Sequence, residues 1–364
     1  MTRRDLVQGA FRAIALGVSV ALVAACGGGG TPSAQATVAP SAAPATAVAT
    51  SAATATPVQT AKVKIGLNKN LLFFAVWVAK EWGFFKNNGI DAEFVEIASG
   101  TELRTAILAG SIDLTVQVPE GSAVLYEKGE QLQNLVATQG KLTWSLVLGA
   151  KHKGKSKLGE VSYLKGMTIG VSSRGSGSDL QLQALLRNGG LKPDTDVKIV
   201  AIGAYANGIP AMERGTIDGM MTVEPSTSQA IAAGDFEYVF FGDSVYPGST
   251  DVPMGSLAAM KAFIDKNPEV TARIVRSIVE AEAAMVKDPD RTLAYAASLN
   301  KSTPEEMTKA VRKELIPALS PVISEVGWGA LMKTLVDAGS IKAAMPYNLA
   351  VATQFKSEWD RFKR

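Results

Sequence analysis

The 364-residue sequence contains one cysteine, Cys26, and one histidine, His152. A single cysteine excludes an internal disulfide framework and any metal site built on paired thiolates. A single histidine leaves a Ser-His-Asp or Cys-His nucleophile system resting on one residue inside the run Lys151-His152-Lys153-Gly154-Lys155-Ser156-Lys157. No phosphate loop ending in Gly-Lys-Ser/Thr is present, and Gly175-Ser176-Gly177 lacks the third glycine of a dinucleotide fingerprint. Acidic residues are common, but none is marked out as an acid–base pair. The chain therefore reads as a binder with no cofactor and no metal rather than as an enzyme.

Long apolar runs are also scarce. The stretch Ala13 to Ala25 is too short to cross a bilayer as a permanent helix, and Arg3, Arg4 and Arg12 flank it. It ends in Val23-Ala24-Ala25-Cys26, which resembles a bacterial lipoprotein cleavage box. Small residues there admit a signal peptidase, and the thiol of Cys26 is the atom that would receive the lipid. An ordinary secretory signal with a cysteine near its end is the competing reading. Thr2-Arg3-Arg4-Asp5-Leu6-Val7 faintly resembles a twin-arginine signal, against a plain basic leader. Residues 27–61 carry no charge and no aromatic ring, so they read as a disordered tether reaching about 30 Å.

Charge is balanced once that leader is set aside. Without Arg3, Arg4, Arg12 and Asp5 the chain has 34 basic and 33 acidic residues, a net charge of +1. No Lys/Arg stripe interleaved with aromatics runs through it, so nucleic acid is not an expected partner. The Lys151–Lys157 run reads as a solvated loop.

What the sequence does contain is an echo. Ala109-Gly110-Ser111-Ile112-Asp113 returns as Arg214-Gly215-Thr216-Ile217-Asp218, an offset of 105. Lys64-Ile65-Gly66-Leu67 returns as Thr168-Ile169-Gly170-Val171, an offset of 104, and Glu93 to Ile97 is matched by Lys198 to Ile202. Matches kept in order at one spacing imply two lobes on one plan. Each lobe reads as β-α-β-α-β. The first has strands at Val63–Leu67, Ala92–Ile97 and Ile112–Val118, and the second at Met167–Val171, Val197–Ile202 and Gly219–Val223. Parallel sheets are expected, with ligands beyond the carboxyl ends of the strands. Trp144 to Ala150 reads as a strand leaving lobe one and Glu237 to Phe241 as a strand leading back. The expected division is 62–150 for the first part of lobe one, 151–236 for lobe two, and 237–364 for the return and C-terminal helices.

Candidate ligand residues follow from those strand ends. Ser172 to Ser178 follows a strand and opens a helix, so the amides and hydroxyls of Ser173, Gly175, Ser176 and Gly177 converge with Arg174 on a helix N-terminus. That suits an oxyanion; simple capping by Ser176 or Ser178 is the alternative. In lobe one the equivalent places are Asn68 with Phe73 and Phe74, and Ser99, Gly100 and Thr101, where Ser99-Gly100-Thr101-Glu102 also reads as a capping box. Gln117 and Glu120 close the third strand of lobe one, and Glu224 that of lobe two. Acidic residues facing the cleft would call for an amine or ring N–H on the ligand.

Trp82-Gly83-Phe84-Phe85-Lys86-Asn87-Asn88-Gly89-Ile90-Asp91, with Leu108-Ala109-Gly110-Ser111-Ile112-Asp113, resembles the sulfonate/nitrate/taurine-type solute-binding proteins of ABC importers. That superfamily also includes binders of thiamine-pyrimidine precursors. Leu164 to Val171, Asn188-Gly189-Gly190-Leu191, Tyr246-Pro247 and Asn267-Pro268-Glu269 extend the resemblance over most of 62–287. It implies an α/β, two-lobed periplasmic-binding-protein fold (type II, a Venus flytrap) with a helical C-terminal region. Together with the cleavage box at Val23–Cys26, it points to a monomer outside the cytoplasm, anchored to the membrane through a lipid on Cys26. Such a protein closes on a small anion of the sulfonate, taurine or nitrate type and presents it to an ABC permease. The alternatives are a heteroaromatic solute (a pyrimidine or thiamine precursor, a flavin or an aromatic acid) or an anchored enzyme on the same scaffold. The His/Cys-rich segment of the yeast-type pyrimidine synthases on this scaffold is absent.

Overall fold

The computed structural model describes residues 59–241 and 251–363. The leader, Cys26 and most of the tether lie outside the described residues, as do Tyr246 and Pro247. The first strand begins within the expected tether, at Ala61.

Ten strands form two five-stranded sheets. The first contains β1 (Ala61–Leu67), β2 (Ile90–Glu96), β3 (Leu114–Gln117), β4 (Leu132–Gln139) and β10 (Gly255–Met260), ordered β2-β1-β3-β10-β4. The second contains β5 (Ser145–Leu148), β6 (Thr168–Val171), β7 (Lys198–Ala201), β8 (Gly219–Thr222) and β9 (Phe236–Phe240), ordered β7-β6-β8-β5-β9. β1 pairs in parallel with β2 and β3, as β6 does with β7 and β8. The expectation of parallel sheets needs one correction. β10 runs antiparallel between β3 and β4, and β5 antiparallel between β8 and β9. The expected lobe boundaries move with it. β5 and β9 both lie in the second sheet, so the chain crosses at residues 140–144 and returns between β9 and β10.

The echo has a physical cause. The Asp113 N–H donates to the Lys64 carbonyl at 2.8 Å, while its carboxylate accepts from the Lys64 N–H at 2.8 Å. Asp218 does the same to Thr168, at 2.7 and 2.8 Å. One residue thus pins the middle of β1 in lobe one and the start of β6 in lobe two. The preceding Gly110 and Gly215 hold φ of 67° and 70°, where a side chain would be strained. Between them and the aspartates, Ser111 and Thr216 bond back to the Ala106 and Ala211 carbonyls. Ile112 and Ile217 fill the space that a side chain on Gly66 or Gly170 would occupy. In lobe two the aspartate does more. Burial opposes its charge, but Lys151, the Thr168 amide and His152 outweigh it and hold the Asp218 carboxyl below the usual range.

After each central strand the chain turns into a helix on the sheet face. In lobe one Leu71–Phe73 forms a 3-10 turn that leads into α1 (Phe74–Glu81), then α2 (Phe84–Asn87). Further along come α3 (Gly100–Leu108) and α4 (Glu120–Tyr126). Lobe two has α5 (Gly177–Asn188), α6 (Gly208–Glu213) and α7 (Ser226–Ala232). Past β10 lie α8 (Lys261–Lys266), α9 (Pro268–Lys287) and α10 (Pro289–Leu299). The stripe Ile274, Ile278, Ala281 and Met285 of α9 is fully buried, and α9 packs on α1. The chain's end returns to lobe one, where the Trp359 indole donates to the Leu135 carbonyl of β4 at 3.0 Å.

Asp218→Ala is expected to cost about 1–3 kcal/mol of stability, the loss of hydrogen bonds to a charged acceptor. Asp113→Ala should cost less, because Asp113 has no counterpart to the Lys151 and His152 contacts. Urea midpoints compare the two; unchanged midpoints would contradict the clip.

Candidate functional site

A cavity of about 590 Å³ lies where the carboxyl ends of the parallel strands of both lobes converge. Asn68, Asn70, Leu72 and Phe73 reach it after β1, Ile97 and Gly100 after β2, and Gln117 at the end of β3. Lobe two contributes Ser172, Ser176 and Gly177 after β6, Tyr205 after β7, and Ser226 and Gln229 after β8. Trp144, at the crossing into β5, packs edge-on against Tyr205 with ring centroids 6.3 Å apart. Burial pushes the Tyr205 hydroxyl up to about 12, against hydrogen bonds to Ser178 and Ser172, so it stays a neutral donor. Asn300 and Lys301, beyond the end of α10, complete the lining. The surface combines aromatic rings, carboxamides and hydroxyls. It suits a partly apolar solute with polar edges.

Six of the expected ligand residues line this cavity: Asn68, Phe73, Gly100, Gln117, Ser176 and Gly177. Gln117 is anchored from behind, its amide donating to Ser122 and Asn134, each at 2.9 Å. The others are placed elsewhere. Phe74 is fully buried and packs against Tyr295 at 5.2 Å. Ser99 caps α3, accepting from the Glu102 N–H at 3.3 Å. Glu224 accepts from the Ser228 amide and hydroxyl at the start of α7. Arg174 is the largest correction. Its guanidinium donates to both Asp194 oxygens at 2.8 and 2.7 Å and to the Ile199 carbonyl, and it pairs with Asp179 at 3.3 Å. Those bonds hold it along the outside of its own lobe. The serines of its loop bond mainly to one another, Ser172 to Ser176 and Ser178, so Ser176 makes no side-chain cap on α5.

Thr101, Glu120, Ser173 and Gly175 instead form a seam between lobes. The Ser173 hydroxyl donates to Thr101 at 3.0 Å, and Thr101 to the Arg174 carbonyl at 3.2 Å. Arg104, on α3, donates to the Gly175 carbonyl at 2.7 Å. In return Gln181, on α5, donates to Glu120 at 3.0 Å. Burial raises the Glu120 carboxyl above its ordinary value and lowers Arg104, while each favours the other's charge. Neither Arg104 nor Gln181 stood out in the sequence, because nothing local marks a residue whose partner lies across a cleft. Tyr205 did have a signal: it stands 105 residues after Gly100, the echo's own spacing.

A family model described as the NMT1-like family matches residues 56–300, about two thirds of the chain. The chain belongs to the NMT1-like family. The matched span ends at Asn300, so it takes in both sheets and all of the cavity lining except Lys301. Among curated relatives, the putative binding protein YtlA of Bacillus subtilis is 22% identical over 297 residues, 80% of this chain and 87% of the relative. The riboflavin-binding protein RibY of Chloroflexus aurantiacus is 25% identical over 283 residues, 77% of this chain and 76% of the relative. The solved structure of the periplasmic aliphatic sulphonate binding protein SsuA from Escherichia coli superimposes with a TM-score of 0.60 at 17% identity, covering 80% of this chain and 91% of that one. The fold is that of the periplasmic binding proteins.

Beside the cavity, lobe two meets the C-terminal region through charge. Beyond α11 (Pro304–Thr308) the chain makes a π-helical run, Lys309–Leu315. Lys309 lies 3.7 Å from Glu237 of β9 and 3.3 Å from Glu314. Burial, then repulsion by Glu224, pushes the Glu314 carboxyl up to about 7, with Lys309 opposing.

Arg104→Ala should speed amide hydrogen exchange at residues 173–178 about tenfold or more, the loss of a charge-assisted bond; unaltered exchange there would contradict the seam. The Glu314 value lies above its unfolded one, so its charge costs stability that grows as pH rises from about 4.5 to about 7. Glu314→Gln should therefore raise Tm at pH 8 by about 2–4 °C and leave it near wild type at pH 5. An equal effect at both values would contradict the assignment.

Proposed function

We propose that this protein is the substrate-binding subunit of an ABC importer, held outside the cell membrane through a lipid on Cys26. It works as a monomer that closes its lobes over a small, ring-bearing solute without net charge. The cavity carries the reading. Phe73, Trp144 and Tyr205 give the lining aromatic surface, while Asn68, Asn70 and Gln229 carry both donors and acceptors. Carboxamides match a heterocycle that carries N–H and C=O groups, whereas an inorganic oxyanion supplies acceptors alone. Arg174, on which the sulfonate and nitrate reading leaned, is engaged by Asp194 and Asp179. RibY, one of the relatives, is named for a flat heteroaromatic ligand, which supports the same class.

Binding rather than catalysis fits the side chains. His152 is held by Tyr163 and Asp218 at 3.1 Å each and is not part of the lining. Closure then follows from differential affinity. A ligand that touches both lobes stabilises the closed state in which the Arg104 seam forms. A second reading, an organic anion, is favoured by Lys301, which lines the cavity and has no carboxylate partner among the described residues.

A thermal-shift screen separates these readings. Riboflavin, lumichrome, uracil and thymine stand on one side, and an alkanesulfonate and nitrate on the other. At a hundredfold excess over Kd a true ligand adds about 2.7 kcal/mol, a shift of several degrees. We expect shifts from ring compounds only. Shifts from the anions, abolished by Lys301→Ala, would establish the second reading, and no shift from any compound would contradict both.

A further inference from the structure

We infer that the interlobe cavity continues into a second subsite, on lobe one, that takes a hydroxyl-rich arm attached to the enclosed ring; this rests on the ring-bearing reading above. A groove of about 570 Å³ adjoins the cavity, and Glu96 and Leu299 belong to the lining of both. A solute leaving the cavity past those two residues enters the groove directly.

Three elements of lobe one build it. Trp77, Lys80 and Glu81 lie on one face of α1, at the spacing of successive turns. Phe94 and Glu96 lie on one face of β2, two residues apart. Tyr295, Ser298 and Leu299 share one face of α10. Among the described residues lobe two contributes nothing to the lining, so the groove does not depend on whether the lobes are open or closed.

Its chemistry selects the arm. Trp77 and Phe94 pack edge to face at 5.1 Å, and Lys80 covers the Phe94 ring at 4.3 Å. Aromatic walls accept the C–H faces of a polyol, while its hydroxyls donate to carboxylates and accept from ammonium groups. Both partners are present: Glu81 and Glu96 as acceptors and Lys80 as donor, while Lys69, which lines the first cavity, pairs with Glu96 at 3.0 Å on the boundary. Two carboxylates against one ammonium in the lining disfavour a phosphate arm, which would meet both carboxylates. They also disfavour a bare alkyl arm, which would strip the charges of water. The Tyr295 hydroxyl, pushed up to about 12 by burial and by Glu81, remains protonated and able to donate.

The test compares rings with and without the arm, using fluorescence or calorimetric titration of the full chain. Riboflavin carries a ribityl arm that lumichrome lacks, and uridine a ribose that uracil lacks. The armed compound of at least one pair should bind about tenfold more tightly than its bare ring. The double variant Glu81→Gln with Tyr295→Phe should remove that advantage while leaving the bare ring's Kd within about twofold. Equal binding within each pair, or equal weakening of both members by the variant, overturns the subsite and leaves the cavity reading intact. No binding by any of the four overturns the ring-bearing reading and the subsite with it.

Discussion

The strand that has just crossed between lobes is the one that completes the sheet it enters. β5 arrives from lobe one and inserts antiparallel between β8 and β9, and β10 arrives from lobe two and inserts between β3 and β4. The second sheet needs the first crossing to receive β5, and the first sheet needs both to receive β10. The parallel strands on either side of the crossings then point their carboxyl ends at one another, and the loops that follow them become the walls of one cavity. Two covalent connections also restrict how the lobes move, favouring a hinge over separation.

On that frame the two lobes hold different parts of the closure. Lobe one supplies Arg104 and Glu120, and lobe two answers with the Gly175 carbonyl and Gln181. The exchange is reciprocal, one donor and one acceptor from each side, so neither buried charge is left unanswered when the lobes meet. In the proposed function the rings and amides of Phe73, Trp144, Tyr205 and their neighbours in the cavity lining would choose the solute. That proposal gives closure and selection to different residues.

How much of this could be read in the sequence depends on the range of each interaction. The echo was legible because the clip that causes it is local: Gly, a hydroxyl residue, Ile and Asp in consecutive positions. The strands flanking it followed. Arg174 was misread because its partner Asp194 lies 20 residues on, so only the folded loop shows the charge already engaged. β4 escaped notice because Gln133, Asn134, Thr138 and Gln139 look like surface residues. They are buried because other segments complete them; Asn134, for one, donates to the Ala350 carbonyl at 3.0 Å. β10 is mostly small residues, with little of the branched or aromatic character that marks a strand. The cavity's lobe-one half was legible at Asn68, Phe73, Gly100 and Gln117 because strand ends are easy to locate. Lys301 was not, since it arrives from a helix more than two hundred residues after β1.

The central claim is that the two lobes close on a solute. Cys26 aside, the chain has no thiol, so the exposed Lys86 of lobe one and Lys198 of lobe two are free to carry single cysteine labels in a Cys26-free body. Energy transfer between those labels, followed as riboflavin is added, measures closure directly. The interlobe distance should shorten and saturate with the same Kd as binding, and Arg104→Ala should weaken both together. A distance that stays fixed while riboflavin binds would contradict that claim.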